Sequence, residues 1–318
     1  MRALSRGGLV PSRRGALVLW SLTAALAAGH APAARAAEKL EPTGKSLAEG
    51  GPLWVGARPA TPPRRVVALA PSLTDVLLAL GLRERLVGVT SVDDAPEVQA
   101  LPRVGGFIDP NPEAILGLRP DLVLWITDGG AIAPMRRLAQ LAGTSSRPFP
   151  ILALDIVSVA DVLAAPRVIG EAMGAPEAGR RLSAELSAEV ERVRARARAL
   201  PSARPRRVLF VVGREPLVVA GPGSFPDELL RLAGCENVVQ GGRPWPIYPL
   251  ERAVADNPDL VVDGAAREPA EGISRLAAIP AVRRGAVFRL PGDDLLRPGP
   301  RMIQGLSTLF RGLHPEAP

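Results

Sequence analysis

The sequence predicts an α/β protein of two Rossmann-like lobes bridged by one long helix. Three observations carry that prediction. From residue 64 onward, short apolar strands alternate with amphipathic helices, the pattern of open sheets with mainly parallel strands. The plan then repeats. "RRVVALAPSLTDVLLALGL" from Arg64 is answered by "RRVLFVV" from Arg206 and "PGSFPDELLRLAG" after it, and "NPEAILGLRPDLVLW" (111–125) is answered by "PLERAVADNPDLVVDG" (249–264). Glu113 to Glu251 and Asp121 to Asp259 share one offset of 138 positions, which argues for two lobes of related fold. Between the repeats, Ala178, Leu182, Leu186, Val190, Val193, Ala197 and Leu200 recur at steps of three and four, with Pro176 at the start and Pro201 as the stop. One apolar stripe over 176–200 predicts a helix of about 37 Å, a stiff connection that lets the lobes move little.

The elements follow in order. Residues 1–36 read as an export signal. Arg2, Arg6, Arg13 and Arg14 precede a broken apolar run, and Ala34 and Ala36 supply a small-x-small cleavage site. "SRRGAL" leaves general secretory and twin-arginine export both open. Residues 37–63 are Pro/Gly-rich and lack periodicity, which predicts a linker or a loosely docked arm. The N-terminal lobe is expected over 64–157, a helical bridge over 158–204 and the C-terminal lobe over 205–318. Ser72/Asp75 and Ser224/Asp227 each have the Ser-x-x-acid spacing of a capping box at a helix start.

Composition narrows the function. The signal carries five arginines and no acid, so its removal lowers the formal charge from +7 to +2, and nucleic acid binding loses its electrostatic support. Cys235 is the one cysteine. It predicts no internal disulfide and no lipid anchor at the cleavage site, and its place after an apolar helix predicts a buried, unreactive thiol. Catalytic motifs are missing: no GxSxG, no phosphate-binding Walker loop and no complete GxGxxG after a strand. The mature chain keeps one histidine, His314 near its end, so neither a Ser-His-Asp triad nor a His/Cys metal centre is expected. Asp93–Asp94 and Asp293–Asp294 read as isolated loop and cap residues. The expectation is a protein that is not an enzyme and holds no metal or cofactor of its own.

The chain has few aromatics, yet "GRPWPIYPLE" (242–251) sets Trp245 and the sole tyrosine, Tyr248, among three prolines. Such a loop is rigid before a ligand arrives and presents flat, partly apolar faces at low entropic cost. Trp125 ends the strand "DLVLW", and strand carboxyl ends are where open α/β sheets place ligands.

These stretches, with "LVGVTSVDDAP" and "DLLRPGPRMIQGL", resemble the periplasmic binding proteins of the Fe/B12 type, and among them the vitamin B12 receptors most. The resemblance runs from 64 to about 314. It implies two lobes on a helical backbone, the class III arrangement, with a metal chelate held between them and handed to an ABC permease dimer at the inner membrane. It implies a monomeric, periplasmic receptor for cobalamin or another corrinoid. An iron–siderophore complex and, less favoured, haem remain open alternatives, and a secreted α/β enzyme is the remote rival. It implies ligand contacts at Trp245 and, opposite, at Phe107, where Gly105 and Gly106 admit close backbone approach, together with Trp125, Tyr248, Asp293 and Arg297. It also implies permease docking through Glu113 and Glu251. Val92 and Val218 depart from the pattern, standing where the B12 receptors carry aromatics.

Overall fold

The computed structural model describes residues 47, 51–127, 132–201, 204–265 and 268–316. The export signal and its cleavage site lie outside the described residues. The N-terminal lobe holds a five-stranded sheet: β1 (Leu53–Val55), β2 (Val66–Ala68), β3 (Leu86–Gly88), β4 (Leu122–Ile126) and β5 (Ile151–Leu154), in the order β1-β5-β4-β2-β3. All pairings are parallel except that of β1 with β5. Its helices are α1 (Pro71–Ala79), α2 (Pro112–Gly117) and α3 (Ile132–Thr144). Of the stretch 37–63 expected to be a linker or a loosely docked arm, residues 53–55 are docked as β1. The β-prone triplet Leu53-Trp54-Val55 adds an antiparallel edge, Val55 is buried, and the Leu47 N–H donates to the Asp155 carbonyl at 2.9 Å.

Two helices follow, α4 (Val159–Ala172) and α5 (Pro176–Arg198). α5 buries Leu182, Leu186, Val190 and Val193, the expected stripe, and at 23 residues spans about 35 Å. The two helices touch most closely at Gly179, where a Cβ would lie 2.5 Å from the Pro166 carbonyl oxygen. α4 opens with a reciprocal capping box: Ser158 accepts from the Asp161 N–H, and the Asp161 carboxylate accepts from the Ser158 N–H. The two boxes expected from sequence fare differently. Ser224 does cap its helix, accepting from the Asp227 N–H at 3.3 Å. Ser72 lies inside α1, whose N-cap is Ala70, because Pro71 takes the first helical position.

The C-terminal lobe contains β6 (Arg206–Arg214), β7 (Leu217–Val219), α6 (Phe225–Leu232), β8 (Cys235–Asn237), α7 (Leu250–Asp256), β9 (Leu260–Asp263), α8 (Pro280–Arg283), β10 (Val287–Arg289) and α9 (Pro300–Leu313). Its sheet runs β10-β9-β6-β7, with β8 parallel to the first residues of β6 and β7 antiparallel to its last. The internal repeat is real down to its corners. Arg119 and Asn257, 138 positions apart, both adopt left-handed backbone (φ 47° and 43°) before Pro-Asp. The following carboxylates then clamp the entry to the central strand. Asp121 accepts from the Arg64 and Arg65 N–H groups at 2.8 and 2.9 Å, and Asp259 accepts from the Arg207 N–H at 2.9 Å.

The lobes do not have separate cores on the bridge side. One apolar cluster runs from Leu77 and Leu154 through Leu186 and Val193 to Phe210 and Leu306. α9 packs along α5 and brings its N-terminus against α1, where a Cβ on Gly299 would lie 2.9 Å from Ser72. The connection between lobes is therefore a packed helical layer.

Candidate functional site

Parallel strands of both lobes end toward the space between them, and the loops leaving those ends carry the site. Among the described residues, five large apolar side chains are exposed: Val92, Ile108, Val157, Trp245 and Ile247, between 43% and 70%. Each sits on a loop at or beside a strand's carboxyl end. Val92 follows β3 and Val157 follows β5. Ile108 sits on the loop held beside β3 by the Ser91 N–H donating to the Gly105 carbonyl at 2.8 Å. Gly105 closes that loop with φ +94°, and a Cβ there would lie 2.7 Å from the Asp109 carbonyl oxygen. Isolated exposed hydrophobics are ordinary; the concentration of these five on strand-end loops makes those loops the candidate site.

The C-terminal wall is the Trp245 loop. Its backbone runs along β7: the Pro244 carbonyl accepts from the Gly221 N–H (2.8 Å), the Pro246 carbonyl accepts from the Val219 N–H (3.2 Å), and the Tyr248 N–H donates to Leu217 (2.8 Å). The carbonyls on both sides of Trp245 are thus tied down while its indole is 44% exposed. A Cβ on Gly221 would lie 2.2 Å from the Arg243 carbonyl oxygen, so the loop needs that glycine to sit so close.

The other expected contacts sort differently. Trp125 is not on the cleft: it is 1% exposed. β4 alternates, sending Leu122, Leu124 and Ile126 toward the bridge and Val123 and Trp125 into the outer layer against Met135 and Leu138. A strand-end position alone could not reveal which face the indole took. Phe107 is half-buried and packs on the bridge-side core, so the exposed apolar residue of its loop is its neighbour Ile108. Tyr248 is half-buried against the C-lobe core with its hydroxyl donating to Asp256. Burial and the Asp256 carboxylate both raise the phenol's pKa. Tyr248 therefore anchors the loop to α7.

Arg297 and Asp293 also depart from the expectation. Arg297 is nearly buried and holds Asp94 of the N-terminal lobe in a two-pronged ion pair at 2.8 and 2.7 Å, with Asp293 at 3.0 Å. Arg301 bonds Asp94 (2.9 Å) and Asp75 (2.9 Å) and pairs with Asp294 (3.3 Å). Asp94 of the first Asp pair and both members of the second thus converge, about 200 positions apart, on Arg297 and Arg301 at and just before the start of α9, while Asp93 turns back to Thr90. Arg297 holds the Asp94 carboxyl well below its ordinary pKa. Burial works against the Arg297 charge, but its bonds to Asp94 and Asp293 raise its pKa. Burial raises the Asp75 carboxyl despite Arg301 beside it. This network ties the lobes together. A second link adds to it: the Glu228 carboxylate on α6 accepts from the Val159 N–H at the start of α4, at 2.8 Å.

Glu113 and Glu251 occupy the first turns of α2 and α7 and are exposed. No group of three or more His, Cys, Asp or Glu with metal-binding geometry occurs among the described residues. A cavity of about 1150 Å³ opens elsewhere, lined by Arg206, Asp259, Phe288 and His314. It lies where the C-lobe strands begin, the wrong end for the cleft. Beside it Cys235 is buried, its Sγ 3.5 Å from His314 Nε2, and burial pushes the thiol's pKa up to about 12.

Comparison with known proteins places the chain. It belongs to the periplasmic binding protein family, whose model matches residues 66–293. It is similar to the uncharacterized ABC transporter substrate-binding lipoprotein YvrC of Bacillus subtilis, 28% identical over 80% of this chain and 81% of that one. The vitamin B12-binding protein of Pectobacterium carotovorum is 29% identical over 76% and 85%. Among solved structures, the periplasmic heme-binding protein RhuT from Roseiflexus sp. RS-1 matches with a TM-score of 0.68 and 30% identity, over 79% and 98% of the two chains. The chain is thus an ABC-transporter substrate-binding protein of the type that includes B12- and haem-binding members, with the class III fold expected from sequence. No helix among the described residues is long and apolar enough to cross a membrane.

Proposed function

We propose that this chain captures a corrinoid, cobalamin being the leading candidate, in the cleft between its lobes and delivers it to an ABC permease dimer after export and cleavage near Ala36. The observation that carries the reading is Trp245, exposed on a loop whose backbone is already fixed, with Val92 and Ile108 exposed on strand-end loops of the other lobe. A broad, largely apolar face suits a flat tetrapyrrole-like chelate.

Corrinoid is favoured over haem by what the cleft does not offer. Haem iron is ordinarily held by His, Tyr, Cys or Met. Tyr248 has its hydroxyl on Asp256, His314 and Cys235 are buried together at the far end of the C-lobe, and Met135, Met173 and Met302 are fully buried. A cobalamin arrives with its cobalt already ligated and asks only for shape and stacking. The glutamates Glu113 and Glu251, one per lobe, are read as the permease-docking carboxylates, matching a two-fold partner with one negative charge on each side.

The test is titration of mature protein with cyanocobalamin, haemin and a ferric siderophore, following tryptophan fluorescence with absorption corrected. Saturable cobalamin binding is expected, weakened roughly tenfold or more by Trp245→Ala, as for loss of a buried aromatic contact of about 1.5–3 kcal/mol. Tighter binding of haemin, or no effect of the substitution, overturns the corrinoid reading.

A further inference from the structure

The two docking glutamates are not electrically equivalent. Glu113 lies 3.5 Å from Arg137 on α3, and both side chains are 69% exposed. Glu251 has no ion-pair partner among the described residues. The repeat itself differs at this point. The C-lobe residue at the 138 offset from Arg137 is Arg275, on the short helical segment Ala270–Leu276 that follows β9, as α3 follows β4. Arg275 is engaged elsewhere: it pairs with Glu215. Glu215 sits in the tight turn of the β6–β7 hairpin, which has no counterpart in the N-terminal lobe, where β2 runs straight into α1. The C-lobe counterpart of Arg137 is thus held by the hairpin and not by Glu251.

We propose that this asymmetry sets how the protein engages its partner: Glu251 makes the strong contact, and Arg137 acts as an internal competitor that weakens the contact of Glu113. The inference rests on the reading of Glu113 and Glu251 as docking carboxylates. A partner with equivalent basic groups about a two-fold axis meets a bare carboxylate on one lobe. On the other it meets a carboxylate already facing a guanidinium, which it must displace while approaching a like charge. The C-terminal lobe docks more strongly, and the chain binds a symmetric partner in a lopsided way. A weak N-lobe contact also eases release, so Arg137 tunes residence on the permease.

The experiment measures binding of the mature chain to its ABC permease reconstituted in nanodiscs, at low and at physiological salt. Variants are Glu113→Gln, Glu251→Gln, Arg137→Gln and Arg275→Gln, with the double variant Glu113→Gln/Arg137→Gln. All these residues are exposed, so folding is expected to be unchanged. Glu251→Gln is expected to lose about three- to tenfold in affinity and Glu113→Gln less than twofold, while Arg137→Gln tightens binding about two- to fivefold. The gain from Arg137→Gln shrinks in the Glu113→Gln background and at higher salt. Arg275→Gln leaves binding unchanged. If both glutamate variants bind like the parent chain, the docking reading itself fails. If they lose affinity equally, or Arg137→Gln is neutral or weaker, docking stands and the proposed competition is wrong.

Discussion

The two lobes share a frame and differ at its rim. At the frame, a left-handed residue, a proline and a strand-capping aspartate recur at one offset, with the same amide caught by the same carboxylate. At the rim, the N-terminal lobe gains the antiparallel edge strand β1, and the C-terminal lobe gains the β6–β7 hairpin against which the Trp245 loop is laid. The comparison teaches that the repeat supplies rigidity while the additions supply the chemistry. The hairpin, with the Tyr248 anchor on α7, fixes the exposed tryptophan, and its turn pairs with Arg275. Two tryptophans express the same division: Trp125, buried in the outer layer, belongs to the frame, and the exposed Trp245 to the rim.

The sharpest way to break the comparison is to truncate each indole. Trp125→Ala empties a filled site in the outer layer of the N-terminal lobe and is expected to cost about 3–5 kcal/mol of stability. It should leave the ligand affinity of the molecules that remain folded unchanged. Trp245→Ala, half-exposed, should shift the urea midpoint little and act on affinity instead. A stable Trp125→Ala protein with impaired binding would return that residue to the cleft.

How far the sequence reaches follows the same line. The frame was legible because it is periodic. The α5 stripe, the strand–helix alternation and the 138 offset all survive in the structure, α5 ending two residues short of the expected 200. The rim was not. Period-two alternation in β4 says that Trp125 and Leu124 face opposite ways, but not which way is the cleft. Arg297 and Asp293 sit where a ligand contact is expected, yet the acid that claims Arg297 is Asp94, 203 positions distant. No local pattern announces such a pair. Glu113 and Glu251 were found by their repeat, whereas Arg137 and Glu215, which make them unequal, belong to tertiary geometry.

A smaller effect tests whether the repeated corners are one device used twice. Asp121→Ala leaves the Arg64 and Arg65 N–H groups without their acceptor; Asp259→Ala leaves that of Arg207 and the 3.3 Å pair with Arg204. Hydrogen bonds to a charged acceptor of this kind contribute about 1.5–3 kcal/mol. Both variants should lose stability within that range in urea unfolding, Asp121→Ala somewhat more. Because one apolar cluster runs through both lobes and the bridge, each should lower a single shared transition. Two separable transitions would show that the lobes fold apart and that the helical layer is a tether.

The smallest effect concerns acid, and it too asks whether the lobes stand or fall together. His314 is buried at the base of the C-terminal lobe, its Nε2 2.9 Å from the Ala233 carbonyl. Burial lowers the imidazole's pKa below its ordinary 6.5. An unfolded chain therefore takes up a proton on this group before the folded one does. Its contribution is neutral above about pH 6.5 and becomes destabilising as pH falls below that value, growing until the folded imidazole also protonates. Carboxylates such as Asp94, held low by Arg297, begin to act only at more acidic pH, below their ordinary 3.8. Unfolding midpoints measured between pH 7.5 and 5 should decline in the parent chain and flatten in His314→Gln. With a continuous core, the decline appears equally in a probe on either lobe. A decline confined to C-lobe probes would mean that His314 controls local opening around Cys235, which a thiol reagent would then reach at pH 5.5 in the parent chain and not in the variant.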